Sequence, residues 1–309
     1  MVESGKNESG DVNDWRMLYP FQSHFAEVAD GIRQHYIDEG ASDNPVLMVH
    51  GNPTWSFYYH RLVSKVRTSG RAIAVDHVGC GLSDKPQRYD YTLETHIQNL
   101  YALVERLDLR NITLVGHDWG GAIGMGCLTR MPERFSRIVL LNTAAFPPPF
   151  FPWRIRVLQI PFLGGIAIQG LNVFAKAAVR MATERPGGLA RAVRNGLLAP
   201  YCSWNNRVAV NAFVQDIPTR PSQPTWRLLE KVERSLAALK QPKLLVWGMR
   251  DWCFRPSCLE QFLKHWPDAQ TLRLADAGHY VLLDEPNRVI DGICRFVKDE
   301  LPPTQENAS

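Results

Sequence analysis

Three short stretches of this chain concentrate residues that could do chemistry. In LVGHDWGGAIGM (residues 114–125) an apolar run leads into Gly116-His117-Asp118-Trp119-Gly120-Gly121 and then into small residues suited to a tightly packed helix. That is the strand-turn-helix setting of a G-x-S-x-G nucleophile elbow, with aspartate in the serine position. A carboxylate is anionic near neutral pH, so Asp118 can attack an electrophilic carbon without a base to remove a proton, and it makes an ester through its own oxygen. His279, in LADAGHYVLLDEP, follows an apolar run and can hold and deprotonate a water aimed at such an intermediate, provided another group fixes its tautomer. Asp251, in LVWGMRDWCF, is the acid placed to orient it. Asn142 stands where such an acid could also sit, but it is uncharged.

The stretch HGNPTWSF (50–57) supplies an oxyanion element. Backbone N–H groups of Asn52 and Trp119 can converge on a developing negative charge, and the Asn52 amide and Trp119 indole add two side-chain donors for an oxyanion or a leaving group. Asp76 and Asp84, in DHVGCGLSDKP, read as hydrogen-bonding acids of a glycine-rich loop.

Elements that could position these groups follow from apolar patterning. Short β-rich runs at 46–51, 72–76, 112–118, 137–143, 243–248 and 271–276 read as buried parallel strands. Between them, Leu93, Ile97, Leu100, Tyr101, Val104 and Leu107 recur at helical spacing, as do Val289, Ile290, Ile293, Phe296 and Val297. The fold class is therefore α/β, a mostly parallel sheet with helices on both faces, and ligands are expected at the carboxyl ends of the strands. The pattern breaks over 146–216, which reads as an inserted helical cap between core segments 1–145 and 217–309. Within it, PPPFFPWRIRVLQIPFLGGIAIQG (147–170) carries Phe150, Phe151, Trp153, Leu158, Ile160, Phe162 and Leu163, more apolar surface than packing alone needs. Part of it is expected to line a pocket for two alkyl chains.

At 309 residues, 45% hydrophobic and 21% charged, the composition is that of a globular protein and excludes a disordered one. A net charge of +4 without a run of five Lys/Arg argues against nucleic acid as a partner. The start, MVESGKNESGDVNDW, lacks the basic and apolar regions of a signal peptide, and the six cysteines lack C-x-x-C spacing, which together suggest a cytoplasmic protein with reduced thiols. Gln159, Pro161, Gln169, Asn172 and Lys176 interrupt the most apolar stretch, 157–179, so no transmembrane segment is expected.

Taken together, HGNPTWSFYYH, DHVGCGLSDKP, GHDWGG and DAGHY resemble the haloalkane dehalogenase branch of the α/β-hydrolase superfamily over nearly the whole chain after the polar start. The order Asp118, Asp251, His279 is the nucleophile, acid, histidine order of that superfamily, and the resemblance implies that Asn52 and Trp119 match its halide-binding pair. More specifically, HGNPTWSFYY, LNTAAF, LAPYCSWNNRVAV and FVQDIP resemble the bacterial β-lactone decarboxylases of long-chain olefin biosynthesis. That resemblance implies a carboxy-lyase that converts cis-3,4-dialkyl-oxetan-2-ones to cis-alkenes and carbon dioxide, using an aspartate nucleophile and neither cofactor nor metal. It also implies a long-chain dialkyl β-lactone substrate and assembly with other olefin-biosynthesis enzymes.

Haloalkane dehalogenation is the first alternative, since its constellation is complete. Epoxide hydrolysis is the second, but it needs a pair of cap tyrosines and residues 146–216 contain only Tyr201. A non-catalytic ligand-binding module would be expected to have lost Asp118 or His279. Two routes stay open to a β-lactone: displacement at the alkyl carbon followed by elimination, or attack at the carbonyl through an anhydride. Retention of His279 and Asp251 favours the second, in which they activate the releasing water.

Overall fold

A computed structural model describes residues 14–160 and 162–299; the polar ends and Pro161 lie outside the described residues. Eight strands form one sheet: β1 (His24–Ala29), β2 (Ile32–Gly40), β3 (Val46–Val49), β4 (Arg71–Val75), β5 (Ile112–Asp118), β6 (Phe135–Thr143), β7 (Lys243–Gly248) and β8 (Gln270–Leu274). Their spatial order is β1-β2-β4-β3-β5-β6-β7-β8. From β4 to β8 every pairing is parallel, whereas β1–β2 and β2–β4 are antiparallel. The six expected strands are present, and the β1–β2 hairpin is an addition to them. Its residues are a mixture of buried, half-buried and exposed, and β1 forms the sheet edge.

Side-chain alternation along the strands feeds two cores. Leu47 and Val49 of β3 face one, which also takes apolar residues of α2 (Leu93–Arg106), α3 (Trp119–Leu128), α7 (Pro224–Leu236) and α8 (Pro256–His265). Val46 and Met48 face the other, shared with α1 (His60–Val66) and α9 (Pro286–Val297). The Thr92 hydroxyl caps α2 by accepting from the Thr95 N–H.

Between β6 and β7 the described chain forms only helices, turns and irregular segments. Short turns over 153–170 lead to α4 (Val173–Met181), α5 (Arg191–Leu198) and α6 (Val208–Asp216). Hydrogen bonds tie this segment to the loops after β3 and β8: the Trp55 indole donates to Gly196 O at 2.8 Å, the Tyr201 hydroxyl to Thr54 O at 3.0 Å and the Tyr280 N–H to Ala182 O at 2.7 Å. Cys80, Cys127, Cys202, Cys253 and Cys258 are free thiols; Cys80, Cys127 and Cys258 are buried, and Cys202 is exposed.

Candidate active site

Where β5 becomes α3, Asp118 has φ +53° and ψ −130°, a backbone conformation that costs a non-glycine residue on the order of 1–3 kcal/mol. The surroundings hold it there. Thr143 Oγ1 donates to the Asp118 carbonyl at 2.5 Å, and Gly120 leaves room for the carbonyls of Val49 and His50, which a Cβ would strike. The turn thereby lifts the Asp118 carboxylate off the end of the sheet.

Four other strand ends deliver groups to the same edge. Following β3, the Asn52 N–H donates to Asp118 Oδ1 at 2.7 Å. Following β8, His279 Nε2 lies 3.5 Å from Asp118 Oδ2, and its Nδ1 lies 2.8 Å from Asp251 Oδ2. Asp251 follows β7; its Oδ1 accepts from the N–H groups of Cys253 (2.7 Å) and Phe254 (3.1 Å). Asn142, the penultimate residue of β6, has φ +30°; its Nδ2 donates to Asp251 Oδ2 at 2.9 Å, while its Oδ1 accepts from the Gly248 N–H at 2.8 Å. Asn142 and Asp251 thus converge, the amide holding the acid that faces the histidine.

Burial alone would raise the Asp118 carboxyl, but the hydrogen bond and charge of His279 hold it below its ordinary value. Burial would likewise lower His279, and the Asp251 charge together with hydrogen bonds to Asp118 and Asp251 pushes it up to about 10. The resting site is therefore an imidazolium between two carboxylates. Phe254 stacks on that ring with centroids 5.6 Å apart.

Neighbouring histidines are neutral. His50 Nε2 accepts from the His77 N–H at 3.0 Å, and His117 Nε2 donates to His279 O at 3.0 Å. Burial lowers His50 and His77, and pushes His96 and His117 down to about 3. Asp76 and Asp84 serve loops: Asp76 accepts from the Ser56 and Leu82 N–H groups, and Asp84 from that of Arg33.

Asp118 and His279 lie in the wall of a cavity of about 250 Å³ shared with Asn52, Trp119 and Tyr280. One Asn52 amide hydrogen goes to Val210 O at 3.1 Å, while the Trp119 indole N–H is hydrogen-bonded to no described residue. Elsewhere the wall is largely apolar and includes Phe150, Phe151, Ile155, Leu158, Phe174 and Ile217. Trp153, Ile160, Phe162 and Leu163, also in the apolar stretch, do not line it and are exposed. Tyr201 is fully buried with its hydroxyl on Thr54 O, away from the cavity, so it offers no acid to an epoxide.

Comparison with known proteins adds a family and two activities. Residues 44–286 match the α/β hydrolase fold family. Two relatives carry the name cis-3-alkyl-4-alkyloxetan-2-one decarboxylase. The one from Shewanella oneidensis is 42% identical, over 94% of this chain and 93% of its own; the one from Xanthomonas campestris is 38% identical, over 91% and 97%. A crystal structure of a haloalkane dehalogenase from Agrobacterium tumefaciens superposes with a TM-score of 0.81 at 25% identity, covering 90% of this chain and 96% of that one.

Proposed function

The chain belongs to the α/β-hydrolase family, and from that premise we propose that it is a β-lactone decarboxylase, a carboxy-lyase that turns cis-3,4-dialkyl-oxetan-2-ones into cis-alkenes and carbon dioxide. The observation that carries this reading is its likeness, over nearly the whole chain, to two proteins bearing that activity's name. An anionic carboxylate at the floor of a cavity with largely apolar walls suits a substrate with two alkyl arms and one strained polar ring.

Asp118 serves as nucleophile. Its carboxylate oxygen bonds to the ring carbon that bears oxygen, the carbon–oxygen bond of the lactone breaks, and the ring opens to a free carboxylate on the neighbouring carbon. The Trp119 indole N–H and the remaining Asn52 amide hydrogen receive that leaving carboxylate. Carbon dioxide then departs, the electron pair of its bond to carbon becomes the double bond, and the ester oxygen returns to Asp118 as carboxylate. Inversion followed by anti elimination preserves the cis arrangement, and no water is consumed.

Carbonyl attack, the route suggested by a retained water-activating pair, leaves an anhydride with an alkoxide on the adjacent carbon. From that species an alkene forms only if oxide leaves carbon, a far poorer leaving group than the Asp118 carboxylate of the displacement route. His279 is moreover held as a cation, which makes it a poor base and a good partner for a departing Asp118 carboxylate. We therefore assign His279 to stabilising that leaving group and Asp251 to keeping it charged.

Purified protein given a cis-dialkyl β-lactone is expected to release alkene and carbon dioxide in equal amounts. Asp118→Ala should remain folded and lose turnover by roughly 10⁴-fold or more. A β-hydroxy acid as the main product, or halide release from haloalkanes outpacing alkene formation, would overturn the reading in favour of a hydrolase.

A further inference from the structure

Features of the cap that the reaction does not use point outward. Residues 146–216 hold eight Lys/Arg and two Asp/Glu, a net +6 in a chain whose total is +4, so the remainder is acidic on balance. None of those eight cations forms an ion pair with a described residue, whereas Arg33, Arg67, Arg71, Arg130 and Arg134 of the core all reach carboxylates. Arg207 is buried on the carbonyls of Gln169, Gly170 and Tyr201, whereas Arg154, Arg156, Lys176, Arg180, Arg185, Arg191 and Arg194 are exposed. Such an excess of like charge in one segment creates a positive field around it.

The same segment presents apolar side chains to water. Phe162 is 89% exposed, Trp153 69%, Leu171 62% and Ile166 57%, all within short turns that pack on one another. Scattered exposed apolar residues are ordinary, but a concentration in one segment marks a contact surface. This surface reaches the active-site entrance, because Phe150, Val173 and Met181 are exposed at the surface and line the cavity as well. Beside that rim, Arg154 and Arg255 border a recess with Trp153 and Trp252. The Arg255 guanidinium lies 3.5 Å from the Phe150 ring centroid and that of Arg154 5.8 Å from that of Trp252. Neither hydrogen-bonds to a described residue, so their N–H groups are available to a phosphate.

We propose that the cap docks on an anionic phospholipid bilayer: its apolar side chains enter the acyl boundary, its arginines lie at phosphate level, and the cavity mouth opens onto lipid. Among the described residues no helix is long and apolar enough to cross a membrane, so the association is peripheral. Lipid fits better than a protein partner. The exposed apolar groups lie on short turns of a segment that also carries exposed arginines, a combination that suits a fluid, negatively charged phase without needing a complementary shape. A water-insoluble substrate would then pass from bilayer to cavity without crossing water.

The test is flotation of the full chain with vesicles of phosphatidylcholine alone or mixed equally with phosphatidylglycerol; it uses no substrate, so its outcome is separate from that of the proposed reaction. Binding to the anionic vesicles is expected to exceed binding to neutral ones by at least roughly tenfold and to fall at about 0.5 M salt. Arg156→Glu with Arg180→Glu should weaken it about 25-fold or more, at about fivefold per cation removed. Phe162→Glu with Ile166→Glu, both outside the cavity wall, should weaken it roughly tenfold or more while leaving the melting temperature unchanged. Absence of binding to anionic vesicles at low salt, or equal binding by wild type and both double variants, would overturn the proposal. So would self-association in sedimentation velocity that the same variants abolish without any vesicle binding, which would give the surface to a second copy of the chain.

Discussion

Replacing Asp251 with asparagine separates the charge of the His279–Asp251 pair from its shape. In the wild type, Asp251 Oδ1 accepts two backbone N–H groups, and its Oδ2 accepts from Asn142 and faces His279 Nδ1 at 2.8 Å. The variant retains its carbonyl oxygen toward the two backbone donors, which turns its NH₂ toward His279 and the Asn142 amide, so it no longer accepts from either and favours the neutral imidazole. Removing a unit charge at this range is worth about 4 kcal/mol at an effective dielectric constant near 20, or about three pH units. His279, held at about 10 in the wild type, should therefore titrate near pH 7 in the variant. If the reaction needs the imidazolium, wild-type kcat/KM stays level from about pH 6 to 9, whereas that of Asp251→Asn falls tenfold per unit above about 7 and recovers in mild acid. A pH–rate profile paired with imidazole nitrogen chemical shifts reads both quantities. A level profile for the variant through pH 9, or a wild-type His279 titrating near its ordinary value, refutes the assignment.

Trp119→Phe keeps an aromatic side chain and removes the unpartnered indole donor, so kcat for alkene formation should fall roughly 10²-fold while the chain stays folded; an unchanged kcat would remove Trp119 from leaving-group binding. Lengthening either alkyl arm should raise kcat/KM about fourfold per methylene until the cavity fills, at about 0.8 kcal/mol each, and a level series across chain lengths would exclude the apolar wall as the alkyl site. Gly120→Ala places a methyl group against the carbonyls of Val49 and His50 and should cost about 3 kcal/mol in urea denaturation; a loss below about 0.5 kcal/mol would show that the elbow relaxes freely.

What could be read from the sequence was what local signals carry. The glycine spacing around Asp118 marks the elbow because each missing side chain answers a nearby contact, and the continuous apolar runs mark strands buried on both faces. The β1–β2 hairpin was not found from apolar runs because edge strands are half polar, although Asp30-Gly31, with Gly31 at φ +66°, is a turn signal at its tip. Asn142 holds Asp251 by contacts made 109 residues further along the chain, which no local pattern encodes. Which apolar residues of the cap face inward was also illegible, because turns of a few residues are too short to show a helical period. Phe151 and Leu158 line the cavity, while Phe162 and Leu163 face solvent.

The neutral histidines packed around the elbow give this protein a dependence on proton uptake. His96 and His117, pushed down to about 3 by burial, stay uncharged in the native chain where an unfolded chain, with histidines near 6.5, is protonated. As pH falls below that value the unfolded state gains protons that the native state does not, and those two residues alone remove about 2.7 kcal/mol of stability per unit, with His50 and His77 acting in the same sense. His279 acts oppositely: its raised value contributes stability that is complete below about 6.5 and disappears as pH climbs toward 10. Against a total folding free energy of about 5–15 kcal/mol, a cluster that charges one imidazole and keeps its neighbours neutral makes both mild acid and strong alkali denaturants of this particular fold.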